Sequence, residues 1–168
     1  MKRSTVNEIL REGDAFIRSF GYVMPPFAYL SPEDLRATDH AEIKRRGMGW
    51  DITDYGQGKY DEMGLFLFTT RNGLAEDLSR GGGMVYAEKI MISRRDQLSP
   101  MHRHIIKSED IINRGGAKLV LELFARAEDG SIDRDAQVQV MVDGVPVGLP
   151  PGGLLKLDPG LSVSLHPD

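Results

Sequence analysis

Three residues in this chain have the types and spacing for metal chemistry: His102, His104 and Glu109, in the run Pro100-Met101-His102-Arg103-His104-Ile105-Ile106-Lys107-Ser108-Glu109. On a strand, residues two apart share a face, so both imidazoles would project together while Arg103 turns away. Glu109 follows across a short turn and can return beside them. Two neutral imidazoles and one carboxylate form a borderline-hard donor set, suited to divalent Mn, Fe, Co, Ni or Zn. The alternative for an isolated His-x-His pair is a structural one, satisfied by hydrogen bonds. The chain has no cysteine, which excludes thiolate zinc, iron–sulfur clusters, disulfides and thiol nucleophiles. Two further histidines remain. His40, beside Asp39 in a polar stretch, reads as an exposed or capping residue. His166 shares a strand face with Ser162 and Ser164, which permits an inward orientation, but it sits at a turn and reads first as a solvated turn residue.

The elements that must hold these residues fall into two kinds. Thr5 and Glu8 have capping-box spacing, and Val6, Ile9, Leu10, Gly13, Phe16, Ile17 and Phe20 recur at helical intervals as far as Gly21. Ser31-Pro32-Glu33-Asp34 carries the signals of a second helix start, and a third short helix is expected near 39–46. After about residue 48 strands and turns take over. Runs at 64–70, 84–93, 97–106, 109–113, 118–126, 136–142, 154–157 and 161–165 are separated by Gly, Pro and Asp corners, and Val145-Pro146-Val147 suits an edge strand. Strands at this pitch with no helices between them predict an antiparallel sandwich or barrel. The expected organisation is a helical arm over residues 1–60 and a β-barrel over 61–168.

Composition narrows the partners. Acidic residues outnumber basic ones by 25 to 21, a net charge of −4, so no basic surplus points to nucleic acid or an anionic membrane. The clusters Lys44-Arg45-Arg46 and Arg94-Arg95 read as solvated faces. No apolar run approaches the ~20 residues of a membrane span, and no apolar signal core follows Met1. These features predict a soluble, cytoplasmic protein.

The spacing His102-x-His104-x4-Glu109-x6-Gly116 resembles the first motif of the cupin superfamily, with Asp96 at a turn where that motif usually has glycine. Gly160 and the run Leu161 to Leu165 resemble the opening of its second motif, with His166-Pro167-Asp168 in the place of the Pro-x-Gly turn. The fourth ligand of that motif, a histidine, would come after Asp168. The expectation is therefore a mainly β fold, a jelly-roll-like cupin barrel with an N-terminal helical arm, incomplete at its C-terminal end.

Trp50-Asp51-Ile52-Thr53-Asp54-Tyr55-Gly56 and Tyr86-Ala87-Glu88-Lys89-Ile90, leading to the histidine motif, resemble the D-lyxose isomerase family over nearly the whole chain. That resemblance implies a manganese-dependent aldose–ketose isomerase, acting as a homodimer on a small sugar (D-lyxose to D-xylulose, D-mannose to D-fructose). It further implies His102, His104 and Glu109 as metal ligands and Lys89 as a catalytic residue, paired in the family with a glutamate. Periodicity puts Glu88 and Lys89 on opposite faces without saying which faces inward, and a surface lysine is the plain alternative. Two other functions use the same donors: a non-haem Fe(II) oxygenase, and a non-catalytic or truncated sugar- or metal-binding cupin. With three of four usual ligands, the chain is expected to isomerise sugars less well than a version carrying the family's C-terminal strands.

Overall fold

The computed structural model describes residues 1–83 and 85–167. The chain divides into two compact units, Met1–Pro100 and Met101–Asp168. It is mainly β, with antiparallel sheets and an N-terminal helix. Among the described residues no helix is long and apolar enough to cross a membrane.

The first unit is built on helix α1 (Arg3–Ser19) and three strands, β1 (Gly49–Thr53), β2 (Leu65–Asn72) and β3 (Ala87–Ile92), in the order β1-β2-β3. Register places Trp50, Phe68 and Ile90 in one row and Ile52, Phe66 and Ile92 in the next, all on one face. That face receives the helix through Ile9, Gly13 and Ile17, four residues apart. A Cβ on Gly13 would collide with the Phe66 ring, so the missing side chain is what lets the helix close on the sheet. Phe66 and Phe68 are fully buried, each worth about 1.5–3 kcal/mol against an exposed ring. The Trp50 ring stands 4.5 Å from Phe68 and its indole N–H donates to the Ala28 carbonyl at 2.7 Å, fixing the 3-10 turn Pro26–Tyr29 beside the sheet.

Several local expectations need correction. The helix begins at Arg3 with Lys2 as N-cap and no side-chain cap, so Thr5 and Glu8 lie inside it and form no capping box. The Ser31 signal does cap: the Ser31 hydroxyl accepts from the Asp34 amide at 3.1 Å, and the Ser31 amide donates back to the Asp34 carboxylate. It opens only a 3-10 turn, Asp34–Arg36, before the five-residue α2 (Ala41–Arg45). β1 lies where strands were expected to take over, after about residue 48, though inside the 1–60 arm; its short Gly-Trp-Asp-Ile-Thr run carries too little alternation to declare its own bounds without its partner β2. Met84, expected to open β3, lies outside the described residues.

The basic clusters are not merely solvated. Arg45 and Arg46 converge on the carboxylate of Asp77, each with a 2.9 Å contact, and Asp77 is 5% exposed. Hydrogen bonding from Arg45 holds the Asp77 carboxyl below its ordinary value. Arg94 pairs with Glu12 and Asp61 and lies over the Tyr60 ring.

The second unit is all β: β4 (Glu109–Ile112), β5 (Leu119–Leu123), β6 (Ala125–Arg126), β7 (Ile132–Asp133), β8 (Val138–Val142), β9 (Val145–Leu149), β10 (Gly153–Leu157) and β11 (Ser162–Leu165). A four-stranded sheet runs β4-β11-β8-β9, β10 pairs with β5, and β6 with β7. The two larger sheets share one core: Val138, Val140 and Val163 from one, Leu155 and Leu157 from the other. Pro146 does sit on an edge strand, where its missing N–H costs no ladder bond. Asp143-Gly144 makes the two-residue β8–β9 turn with φ of 47° and 79°, the left-handed pair a tight hairpin requires.

Candidate metal-ligand segment

The strand expected at 97–106 is absent. Residues 99–108 are irregular, and β4 begins only at Glu109. Pro100 cannot donate to a ladder, and Ile105 and Ile106 are 68% and 91% exposed, so neither a ladder nor an apolar face holds this stretch extended. The argument from strand alternation therefore fails for His102 and His104. Their juxtaposition survives by another route: the ring centroids lie 5.2 Å apart at an interplanar angle of 55°.

Glu109 joins them from the first position of β4. Its Oε2 lies 3.4 Å from Nε2 of His104, and its Oε1 accepts from Nζ of Lys107 at 3.1 Å. The side chains of His104 and Glu109 are mostly buried, at 17% and 25% exposure. His102 thus lies beside His104, and His104 beside Glu109, at the entry to the four-stranded sheet. Among the described residues, no group of three His, Asp or Glu side chains is arranged so that it could hold a metal ion. One oxygen of Glu109 faces His104 and the other is held by Lys107. The donor types suit a borderline divalent ion.

His166 is placed elsewhere. β11 pairs with β4 so that Leu165 opposes Glu109, and Ser108 therefore opposes His166. The Ser108 hydroxyl lies 3.0 Å from Nδ1 of His166, on the face that also carries the Ser164–Asp110 hydrogen bond. Ile111, Val163 and Leu165 point the opposite way, into the core, and Glu109 shares their face by alternation. The inward orientation that Ser162, Ser164 and His166 allowed is not the one adopted.

Supporting residues that sequence reasoning missed lie on either side. Asn113, just past β4 and 7% exposed, uses every polar group it has. Its side-chain amide donates to the carbonyls of Ala117 and Leu157 at 2.8 and 2.9 Å, and its Oδ1 accepts from the Gly115 amide. Its own amide donates to Leu161, and its carbonyl accepts from Gly160. It ties the Arg114-Gly115-Gly116 corner to β10 and β11; an asparagine entering a Gly-Gly corner was the available signal. Arg103, between the two histidines, donates to the Gly130 carbonyl in the β6–β7 turn. Asp96 lies at a turn, as expected of its position, and takes φ 57° there.

Residues 1–168 match the family described as D-lyxose isomerase. The chain belongs to that family. A D-lyxose/D-mannose isomerase of Escherichia coli O157:H7 is 40% identical over 170 aligned positions, covering 99% of this chain and 74% of that protein. One from Serratia proteamaculans is 41% identical over 171 positions, covering 99% and 73%. Membership makes the chain a sugar isomerase by descent, and the histidine segment is the part of it with donors for metal-assisted chemistry.

Lys89 belongs to the first unit. It pairs with Thr69 on the sheet face opposite the helix, in the row next to Leu67 and Met91, and it is exposed. Of the two orientations left open by periodicity, Lys89 takes the face that α1 does not cover, and Ile90 and Ile92 take the covered one.

Proposed function

We propose that this chain is a metal-dependent aldose–ketose isomerase of the cupin type that converts D-lyxose to D-xylulose and D-mannose to D-fructose. The observation that carries the reading is the gathering of His102, His104 and Glu109 in one short segment of a D-lyxose isomerase family chain. Its relatives' names supply the sugars. The residues would hold one divalent ion, Mn²⁺ being the proposed one. When bound, the ion supplies positive charge for the oxyanion that develops as the sugar loses a carbon-bound proton.

The reaction moves one proton from C2 to C1 and another from O2 to O1. The chain's own residues must place and shuttle these protons. Glu109, with one oxygen toward His104 and the other toward Lys107, is held as a carboxylate donor, and we leave the shuttling to other groups. We assign Lys89 an acid role, giving a proton to a sugar oxygen or holding its negative charge. A positioned acid of this kind is worth about 10²–10⁴-fold in rate. Association as a homodimer belongs to the same reading; Phe16 and Phe20, packed edge to face and half-exposed on α1, offer apolar surface for it.

The test is ketose formation from D-lyxose by protein stripped with chelator and reloaded with Mn²⁺. Activity that vanishes on stripping and returns with Mn²⁺ supports the reading, and Lys89→Met should then lower kcat at least ~100-fold while Mn²⁺ affinity holds. Full activity in the stripped protein would overturn metal dependence. O₂ uptake on loading Fe²⁺, with no ketose formed, would establish an oxygenase instead.

A further inference from the structure

The segment that carries His102 and His104 is irregular, yet its two imidazoles sit side by side. Something other than a ladder must fix it. Its contacts within the second unit include those of His104 and Lys107 with Glu109, the Ser108–His166 bond, and the Arg103 guanidinium donating to the Gly130 carbonyl. The first three lie at or beyond His104. The Arg103 contact alone of these falls between the two histidines, and it reaches 27 residues along the chain to a different hairpin.

The receiving turn is built for that contact. Ala127–Ser131 closes through the Gly130 amide donating to the Ala127 carbonyl at 2.8 Å and the Ala127 amide donating to the Ser131 carbonyl at 2.9 Å. Asp129 accepts from the Ser131 amide and hydroxyl at 2.8 and 2.6 Å, which stiffens the turn. Gly130 sits at φ 85°, in the left-handed region that favours glycine. A Cβ there would overlap the Arg103 guanidinium, so the missing side chain serves the conformation and also makes room for the arginine. The Asp129 carboxylate adds attraction, since Arg103 is among the charges that hold its carboxyl below the ordinary value, after the hydrogen bonds from Ser131.

We propose that Arg103 is a positioning residue for the candidate ligand pair: clamped on the Gly130 carbonyl, it holds the irregular segment so that His102 and His104 stay adjacent. Arginine suits the task because its planar fork keeps a fixed geometry at a carbonyl and cannot be deprotonated. With its guanidinium engaged at the Gly130 carbonyl, Arg103 has a partner other than the metal donors, with which a cation would compete. The proposal rests on the metal reading above for its functional meaning, but the clamp itself is a property of the metal-free chain.

The experiment separates the two. In metal-free protein, proton–proton NOEs between the imidazole rings of His102 and His104 are measured for the parent, Arg103→Met, Arg103→Lys and Gly130→Ala; the chain has only four histidines, so assignment is direct. Mn²⁺ affinity is measured by calorimetry on the same set. The clamp predicts that Arg103→Met and Gly130→Ala lose the inter-ring NOE and bind Mn²⁺ about tenfold more weakly, the worth of one charge-assisted hydrogen bond. Arg103→Lys, which keeps a charged donor, should recover part of both. If Arg103→Met keeps the NOE, the clamp is wrong, whatever the metal does. If the parent binds no Mn²⁺ but Arg103→Met still loses the NOE, the clamp stands and the metal reading falls.

Discussion

Glu109 and His166 occupy neighbouring rungs of one β-ladder but opposite faces of it. Leu165 opposes Glu109, so His166 falls opposite Ser108 and bonds its hydroxyl at 3.0 Å, while Glu109 turns toward His104. A one-residue offset in a strand is a change of face, and no rotamer of His166 undoes it. His166→Ala should therefore leave Mn²⁺ affinity within about twofold of the parent by titration calorimetry, below the ~1.4 kcal/mol that a tenfold change represents. A tenfold loss would mean that His166 reaches the ion.

Lys107 holds the oxygen of Glu109 that His104 does not face. An ammonium and a divalent ion compete for that oxygen, and the pair is half-exposed, so it is worth about 0.2–1 kcal/mol. Lys107→Met should tighten Mn²⁺ binding by up to about fivefold, the same quantity expressed as affinity. Weaker binding in the variant would show that Lys107 supports Glu109 rather than opposing the ion.

Much of this was legible in the sequence where a residue's neighbours along the chain decide its structure. β2, β4, β8, β10 and β11 fall inside their predicted runs or within a few residues of them, because apolar alternation ends at Gly, Pro and Asp corners that break any strand. Pro146 declared an edge, and Asp96 a turn. The same local logic failed for residues 97–106, whose Met, Ile and His content suits a strand but which form only the isolated bridge of Leu98 with Met63. Pairing is a long-range fact. So are the Arg45–Asp77 and Arg103–Gly130 contacts, which join residues 32 and 27 positions apart. The identities of His102, His104 and Glu109 were readable; the reason they meet was not, since it lies in the turn at Gly130 and the corner at Asn113. The side of the sheet on which Lys89 stands needed the helix packed on the other.

The Arg45–Asp77–Arg46 cluster predicts a pH dependence of stability. Asp77's carboxyl lies below its ordinary value of 3.8, chiefly through the Arg45 hydrogen bond. A depressed folded-state value means that the unfolded chain binds the proton more readily. The contribution is then complete above about 3.8 and disappears as pH falls through the lower folded value. Asp77→Asn should melt below the parent at pH 7, and the gap in Tm should narrow steadily from about pH 4 downward, where the parent loses its charge too. A gap that is constant from pH 7 to pH 2.5 would show that packing, not the carboxylate charge, is what the substitution removes.

Asn113 carries the sharpest structural prediction, because its amide cannot be replaced by its nearest isostere. Both side-chain N–H groups are spent on buried carbonyls, those of Ala117 and Leu157. Asn113→Asp keeps the shape and the Oδ1 acceptor for Gly115, but turns the double donor into an acceptor. Two carbonyls then face a carboxylate, and each orphaned group costs about 1–3 kcal/mol. The variant should lose roughly 2–6 kcal/mol in urea denaturation by that sum, a large share of the 5–15 kcal/mol available to a domain. The damage should reach the ligand segment, because Asn113 ends the strand that Glu109 begins. Mn²⁺ affinity should fall even at temperatures where the variant is still folded. A loss below 1 kcal/mol would mean that the corner at Arg114-Gly115-Gly116 holds without its asparagine, and that β4 is positioned by the Val163 and Ile111 packing alone.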